Sequence, residues 1–207
     1  MLVWSSLHSS LRDKGPMKSA WLALRYALKK TIGLDWIKEI IVERALEEPV
    51  QTIVPAKDVV IKQANVDDIF KLNSLVNPQK YQLYQKRNDK GIVCFIALEG
   101  DKVIAYSWIK FTSRYQPKKS IPDNKVAYLY DSFVSPKYRN KRLHSALTAA
   151  RLQYLRQRGY LKVLTAGQKD NPSFKTMVQA GFKPTKTVLL FTVFKLQFRL
   201  WHKISAA

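Results

Sequence analysis

From Val126 the chain reads VAYLYDSFV, a run of aromatic and branched residues, and Ser135-Pro136 then opens a basic stretch through Arg142. Apolar positions follow at Leu143, Leu147, Ala150 and Tyr154, with Ala146 beside them. Continuous apolar character predicts a strand, Pro136 a turn, and the three-to-four spacing a helix from Leu143. On that helix Arg151, Gln153, Arg156 and Arg158 are expected to face water. Gly159 ends it, and Leu161–Ala166 predicts the next strand. Asp170 to Ser173 then cap a helix that reaches Ala180 and closes at Gly181-Phe182.

Upstream, apolar residues between Lys18 and Lys30 predict a helix that stops at Gly33. A second helix is expected from Asp35, as N-cap, through Ile37, Ile40, Ile41, Ala45 and Leu46. Residues 1–16, rich in Ser, carry little pattern and read as a mobile tail; Glu47 to Pro55 reads as a linker. The boundaries are thus a helical extension over 1–50 and a domain over 51–207. That domain opens with a strand at Val59–Gln63, a helix begun by Asp67 and Asp68, and another begun by Pro78. A hairpin over Ile92–Phe111 turns at Glu99-Gly100-Asp101, a basic loop covers 114–125, and Val188–Phe194 and Leu196–Trp201 are closing strands.

At 207 residues the chain can bury a full core without crosslinks. Cys94, its one cysteine, sits among Val93, Phe95 and Ile96, so it reads as core filler, with a catalytic thiol as the sharper alternative. The three histidines, His8, His144 and His202, are scattered, which predicts no metal site. No apolar run approaches the ~20 residues that cross a bilayer, and no secretory leader is apparent; a cytoplasmic protein, peripheral at a membrane at most, is expected. The net charge is +21, and residues 126–207 carry 15 Lys/Arg against 2 Asp/Glu. Such a field favours an anionic small molecule, nucleic acid or an anionic membrane. The N-terminal helices are expected to pack on the domain or on a second copy in a homodimer.

A strand feeding a basic loop at a helix N-terminus is an anion-binding device. The first-turn N–H groups lack intrahelical acceptors, the helix dipole adds positive potential, and Arg139, Lys141 and Arg142 supply charge. Val134, Pro136, Tyr138 and Arg139 occur in an order that resembles the GNAT superfamily of acyl-CoA-dependent N-acyltransferases. There a strand leads into (Arg or Gln)-x-x-Gly-x-(Gly or Ala), whose backbone grips the coenzyme A pyrophosphate. This chain departs from the pattern. Asn140 stands where a third Gly is frequent, Arg142 at the central Gly and His144 at the Gly-or-Ala position. An Arg forced to φ > 0 costs about 1–2 kcal/mol. Ser173 and Gly181-Phe182 keep the spacing of the family's second motif, with Asp170 where Asn is usual and Met177 where many relatives carry a proton-donating Tyr.

The resemblance covers about residues 59–194 and implies an α/β fold, a mixed, mostly antiparallel central sheet flanked by helices. It also implies acetyl-CoA, or another acyl-CoA, as co-substrate and direct transfer to a primary amine of a small acceptor; the charge field, and not the resemblance, adds that this acceptor is anionic, for example nucleotide-linked, an acidic peptide fitting as well. The expected coenzyme contacts are Phe133, Val134, Arg139, Asn140, Lys141, Arg142, Leu143 and His144, with Asn171 and Ser173. Main-chain N–H groups at Phe133–Val134 would meet the developing oxyanion. Asp131, the one acid in its strand, is the candidate base, against a structural ion pair. Tyr128 and Tyr130 are candidate acids, against simple packing. Strict alternation places Tyr128, Tyr130, Ser132 and Val134 on one face and Leu129, Asp131 and Phe133 on the other. The rival function is a coenzyme-free binding module of the same fold for nucleic acid, anionic membrane or protein, motivated by Arg142.

Overall fold

The computed structural model describes residues 16–55, 58–89, 92–111, 125–193 and 196–203. The tail over 1–15 and nearly all of the loop expected at 114–125 lie outside the described residues. The chain divides into two compact units, one of residues 40–186 with 203–207, the other of 1–39 with 187–202.

The larger unit is built on strands in the order β2-β3-β4-β5-β6-β1, continuing to the start of β7. These are β1 (Asp35–Ala45), β2 (Val59–Gln63), β3 (Val93–Glu99), β4 (Lys102–Lys110), β5 (Val126–Val134), β6 (Lys162–Gly167) and β7 (Lys183–Val193). Pairing is antiparallel from β2 through β5 and between β6 and β1, and parallel between β5 and β6. A parallel pair needs a crossover, which α4 (Leu143–Gln157) supplies. α5 (Pro172–Gln179) joins β6 to β7.

Both faces of the sheet are covered, which is why β3 and β4 read as unbroken apolar runs. Phe95, Ala97, Ile109, Ala127 and Leu129 pack with Leu143, Leu147, Leu152 and Leu155 of α4 and Met177 of α5. On the opposite face Cys94, Ile96, Tyr106 and Trp108 pack with Ile69 of α2 (Val66–Lys71), Leu72, and Tyr84 of α3 (Pro78–Asp89). α2 starts in a capping box: Asn65 accepts from Asp68 N–H, and Asp68 accepts from Asn65 N–H.

Two expectations are corrected here. Asp35–Ala45 is a strand, so the expected helical extension through residue 50 is helical only to Ile32. Ile37, Ile40, Ile41 and Ala45 do fall at helical spacing. Four β-branched residues within Ile37–Val42 suit a pleated surface better, and the pairing of Ile40–Ala45 with β6 decides for the strand. Arg151, expected on the wet face of α4, is fully buried. It donates to the carbonyls of Leu147 and Trp108 and to Thr148 Oγ1, and burial pulls its guanidinium down to about 9. The Trp108 carbonyl lies where the β4–β5 register shifts, so Arg151 serves an acceptor at a broken ladder.

The smaller unit contains α1 (Pro16–Ile32), the first residues of β1, the end of β7, and β8 (Leu196–Lys203), with the strands in the order β1-β7-β8. Lys29 pairs with Asp35 at 2.9 Å, and Trp21 meets Trp36 edge to face at 5.2 Å between ring centres. Asp35 therefore answers the last turn of α1 and caps no helix. Among the described residues no helix is long and apolar enough to cross a membrane.

Candidate active site

The site begins with a defect in β5. Tyr106 pairs with Phe133 and Trp108 with Tyr130, so Ser107 alone faces Asp131 and Ser132. This is a β-bulge, and Asp131 absorbs it with φ 49°, a left-handed conformation that Asp tolerates better than most residues. The Ser107 and Ser132 hydroxyls hydrogen-bond across it.

The bulge overturns the expected alternation. Tyr130 and Phe133 pack on the α3 face while Leu129 and Val134 pack against the α4 side. Asp131 is thereby turned to α3. Its Oδ2 accepts from Arg87 Nη1 at 2.6 Å and from the Tyr84 hydroxyl at 3.0 Å, and its Oδ1 lies 3.3 Å from Lys80 Nζ. Tyr84 also hydrogen-bonds the Tyr106 hydroxyl at 2.8 Å. The Arg87 guanidinium lies over the rings of Tyr84, Trp108 and Tyr130 at 4.9, 5.3 and 4.8 Å. Burial pulls the Lys80 ammonium down, but its hydrogen bond to Tyr106 and the Asp131 charge outweigh that and hold it above its ordinary value. Burial pushes the Tyr84 and Tyr130 phenols up, so both stay protonated at neutral pH.

Lys80, Tyr84 and Arg87 were not picked out in the sequence. Their signal was available: i, i+4 and i+7 put three polar or aromatic side chains on one helical face. The helix runs on through the charged residues Lys86 and Arg87 to Asp89.

Beyond the bulge, β5 leaves β6. The two strands pair only at Val126–Tyr128 with Lys162–Leu164, and Thr165 Oγ1 then donates to the Leu129 carbonyl at 2.9 Å. The fork encloses a cavity of about 250 Å³ whose walls include Tyr130, Asp131, Ser132, His144, Asn171, Ser173 and Met177. On the β6 side, the main chain at Ser132–Val134 has no ladder partner. Tyr128 is buried, its ring stacked 6.1 Å from Tyr130, and lines neither this cavity nor the cleft beside it.

That second cleft, of about 600 Å³, lies at the stretch where the sequence led to the expectation of an anion site. A 3₁₀ turn at Pro136–Tyr138 leads into Asn140 and Arg142 at φ 64° and 56°, both left-handed. Arg142 is the N-cap of α4 and provides no side-chain cap, so the N–H groups of Leu143, His144 and Ser145 emerge from the first turn without intrahelical acceptors. Every residue expected to contact coenzyme lines this cleft except Lys141, whose Nζ sits 5.2 Å from the Tyr138 ring centre. No lining residue is acidic, which suits a diphosphate. The cleft shares Ser132, His144, Asn171 and Ser173 with the fork cavity.

Asn171 is also the N-cap of α5, its Oδ1 accepting from Ser173 N–H at 3.0 Å and the Ser173 hydroxyl at 2.8 Å. Asp170, at the position where relatives carry Asn, is not the cap. Burial and the nearby Arg151 charge lower His144 to about 4, and its buried Nδ1 has no partner among the described residues, so the imidazole is neutral at pH 7. Burial raises the Cys94 thiol, which places it in the core and away from nucleophilic chemistry. Among the described residues no group of three or more His, Cys, Asp and Glu could hold a metal ion.

Residues 64–182 match the model of the acetyltransferase (GNAT) family, more than half of the chain and all of the bulge, fork and cleft. The chain belongs to that family. GNAT-type folds recur among the solved structures similar to it. A Drosophila protein aligns with TM-score 0.60 at 12% identity, over 85% of this chain and 57% of its own. The glucosamine N-acetyltransferase region of a fungal multi-domain β-N-acetylglucosaminidase aligns with TM-score 0.56 at 16% identity, over 90% and 23%. A tandem GNAT protein from the clavulanic acid biosynthesis pathway aligns with TM-score 0.55 at 14% identity, over 88% and 59%. The chain thus spans less than two thirds of the length of each. No curated protein sequence matches it.

Proposed function

We propose that this GNAT protein is an acyl-CoA-dependent N-acetyltransferase that acetylates a primary amine on a small anionic acceptor. The observation that carries the reading is the pair of left-handed residues Asn140 and Arg142, which turn the free N–H groups of α4 into a cleft joined to the β5–β6 fork. Arg142 adopts the conformation that the usual glycine would, at a cost of about 1–2 kcal/mol, and its side chain is exposed.

Acetyl-CoA, when bound, supplies an activated thioester. First-turn amides of α4 with Arg139 would hold its diphosphate, and the fork would receive its arm. Ser135 N–H donates to the Ile104 carbonyl on β4, so strand alternation turns the neighbouring Val134 N–H toward the unpaired β6 side, where it would donate to the thioester oxygen as charge develops there. Tyr130, protonated and lining the fork, is the group best suited to return a proton to the departing sulfur, the role for which Met177 is chemically unsuited. Of the two readings of Asp131, the geometry supports the ion pair: Arg87, Tyr84 and Lys80 already occupy both carboxylate oxygens. Asp131 then positions the α3 face, and the ammonium of the acceptor loses its proton to water before attack. The basic surplus supports an anionic acceptor.

Calorimetry with acetyl-CoA tests the reading. Micromolar binding that weakens with added pyrophosphate is expected, and no heat at millimolar ligand would leave only the binding-module alternative.

A further inference from the structure

The smaller unit carries the end of the sheet, where β8 has β7 as its one neighbour among the described strands. On this edge Leu196, Phe198 and Leu200 are 65%, 55% and 60% exposed. Their spacing of two residues puts all three on one face of the strand. Edge strands ordinarily hold charge, a proline or a cover that keeps partners away. This face holds Leu, Phe and Leu instead, and large apolar side chains grouped in water mark an interaction surface. We propose that the exposed face of β8 lies on an anionic lipid surface.

Charge selects the occupant. α1 carries Lys18, Arg25, Lys29 and Lys30, residues 196–202 carry Arg199, and neither stretch holds an Asp or Glu. Among the described residues of this unit the acids are Asp35 and Glu39, both on β1, and Asp35 is paired with Lys29 at 2.9 Å. Lys30, next to that pair, is exposed. A second copy would therefore set the same cations against each other, with no acid on α1 or β8 to answer them. A polynucleotide would satisfy the cations but not Leu196 and Leu200, because bases stack on aromatic faces.

A bilayer surface with anionic headgroups meets both features. Its negative potential attracts the Lys and Arg residues, and Leu and Phe side chains enter the boundary between headgroups and acyl chains. α1 has the composition of a helix at such a boundary: Trp21 and Leu24, three residues apart, are exposed on a helix whose charges are all positive. The contact is peripheral, made by side chains alone. It concerns the smaller unit and does not rest on the acetyltransferase reading.

The test is co-sedimentation of the full-length protein with vesicles of phosphatidylcholine alone and of phosphatidylcholine with about one-third phosphatidylserine. Binding to the anionic vesicles is expected to be at least tenfold tighter, and to weaken at least fivefold as salt is raised. Leu196→Thr, Phe198→Thr and Leu200→Thr, made together, keep a strand-forming side chain at each position and remove the apolar face. The triple variant should bind anionic vesicles at least tenfold more weakly, with circular dichroism and acetyl-CoA binding unchanged. Leu200→Cys, labelled with an environment-sensitive fluorophore, gives a reading that does not depend on that variant's folding, since Cys94 is buried away from the label. Its emission should shift to the blue on anionic vesicles. Absence of anionic-vesicle binding, affinities within twofold for the two vesicle types or for wild type and a folded triple variant, or unshifted emission from bound protein would each overturn the proposal. So would a wild-type dimer that the triple variant dissociates, without vesicle binding, which assigns the face to a second copy. Duplex RNA binding without vesicle binding likewise overturns it in favour of nucleic acid. Vesicle binding by a wild-type protein that takes no acetyl-CoA would sink the proposed function and leave this surface standing.

Discussion

A double-mutant cycle on Arg87 and Asp131 separates an anchor from a catalytic base. Arg87→Met removes the guanidinium from 2.6 Å of the carboxylate together with its contacts on three aromatic rings, and both side chains are less than one-fifth exposed. Loss of one partner of a fully buried pair costs about 3–5 kcal/mol. Residual exposure and the remaining Lys80 contact reduce this to about 2–4 kcal/mol. Asp131→Asn keeps the shape and the tolerance for φ 49° but leaves two cations without their anion, at about 1–3 kcal/mol. Once either partner has gone, losing the other costs less, so the double variant should fall short of the sum by about 1–3 kcal/mol. Urea unfolding followed by circular dichroism reads each corner of the cycle. Kinetics complete it: Asp131→Asn should lower kcat without changing the shape of the pH–rate profile, which follows the acceptor amine. Additivity within about 0.5 kcal/mol, or loss of an acid limb in Asp131→Asn alone, would refute the anchor and restore the base.

Arg142→Gly should bind acetyl-CoA at least as tightly as wild type by calorimetry, whereas Arg142→Val, β-branched at φ 56°, should weaken it tenfold or more. Tyr130→Phe should lower kcat about a hundredfold with KM nearly unchanged, and a change under threefold would remove Tyr130 as the acid. His144 is held neutral, with its folded value near 4 below the ordinary 6.5, so the unfolded chain takes up a proton first as pH falls. Stability should therefore decline between about pH 6.5 and 4, and His144→Gln should flatten that part of a Tm–pH curve. Gly181→Ala forces a Cβ into a left-handed position against Arg44 and should cost about 1–3 kcal/mol in chemical denaturation.

The strand, turn and helix start that frame the cleft were legible from residues alone because they are local. Val134 to His144 is a single stretch, and a strand, a turn and a helix start in sequence put the first-turn amides beside the basic side chains whatever the rest of the chain does. The start of α5, expected within Asp170 to Ser173, and the hairpin of β3 and β4 were readable for the same reason, each being decided by neighbours a few positions away. Asp35–Ala45 was not readable in this way: its apolar spacing admits a helix, and only the edge of β6, more than a hundred residues downstream, makes it a strand. The same holds for Arg151, whose burial depends on a carbonyl freed in β4, and for Asp131, whose direction depends on one unmatched residue between two strands. Local spacing therefore told where the turn and the free first-turn amides of α4 lie, and long-range pairing decided which charged groups are buried and which face one another.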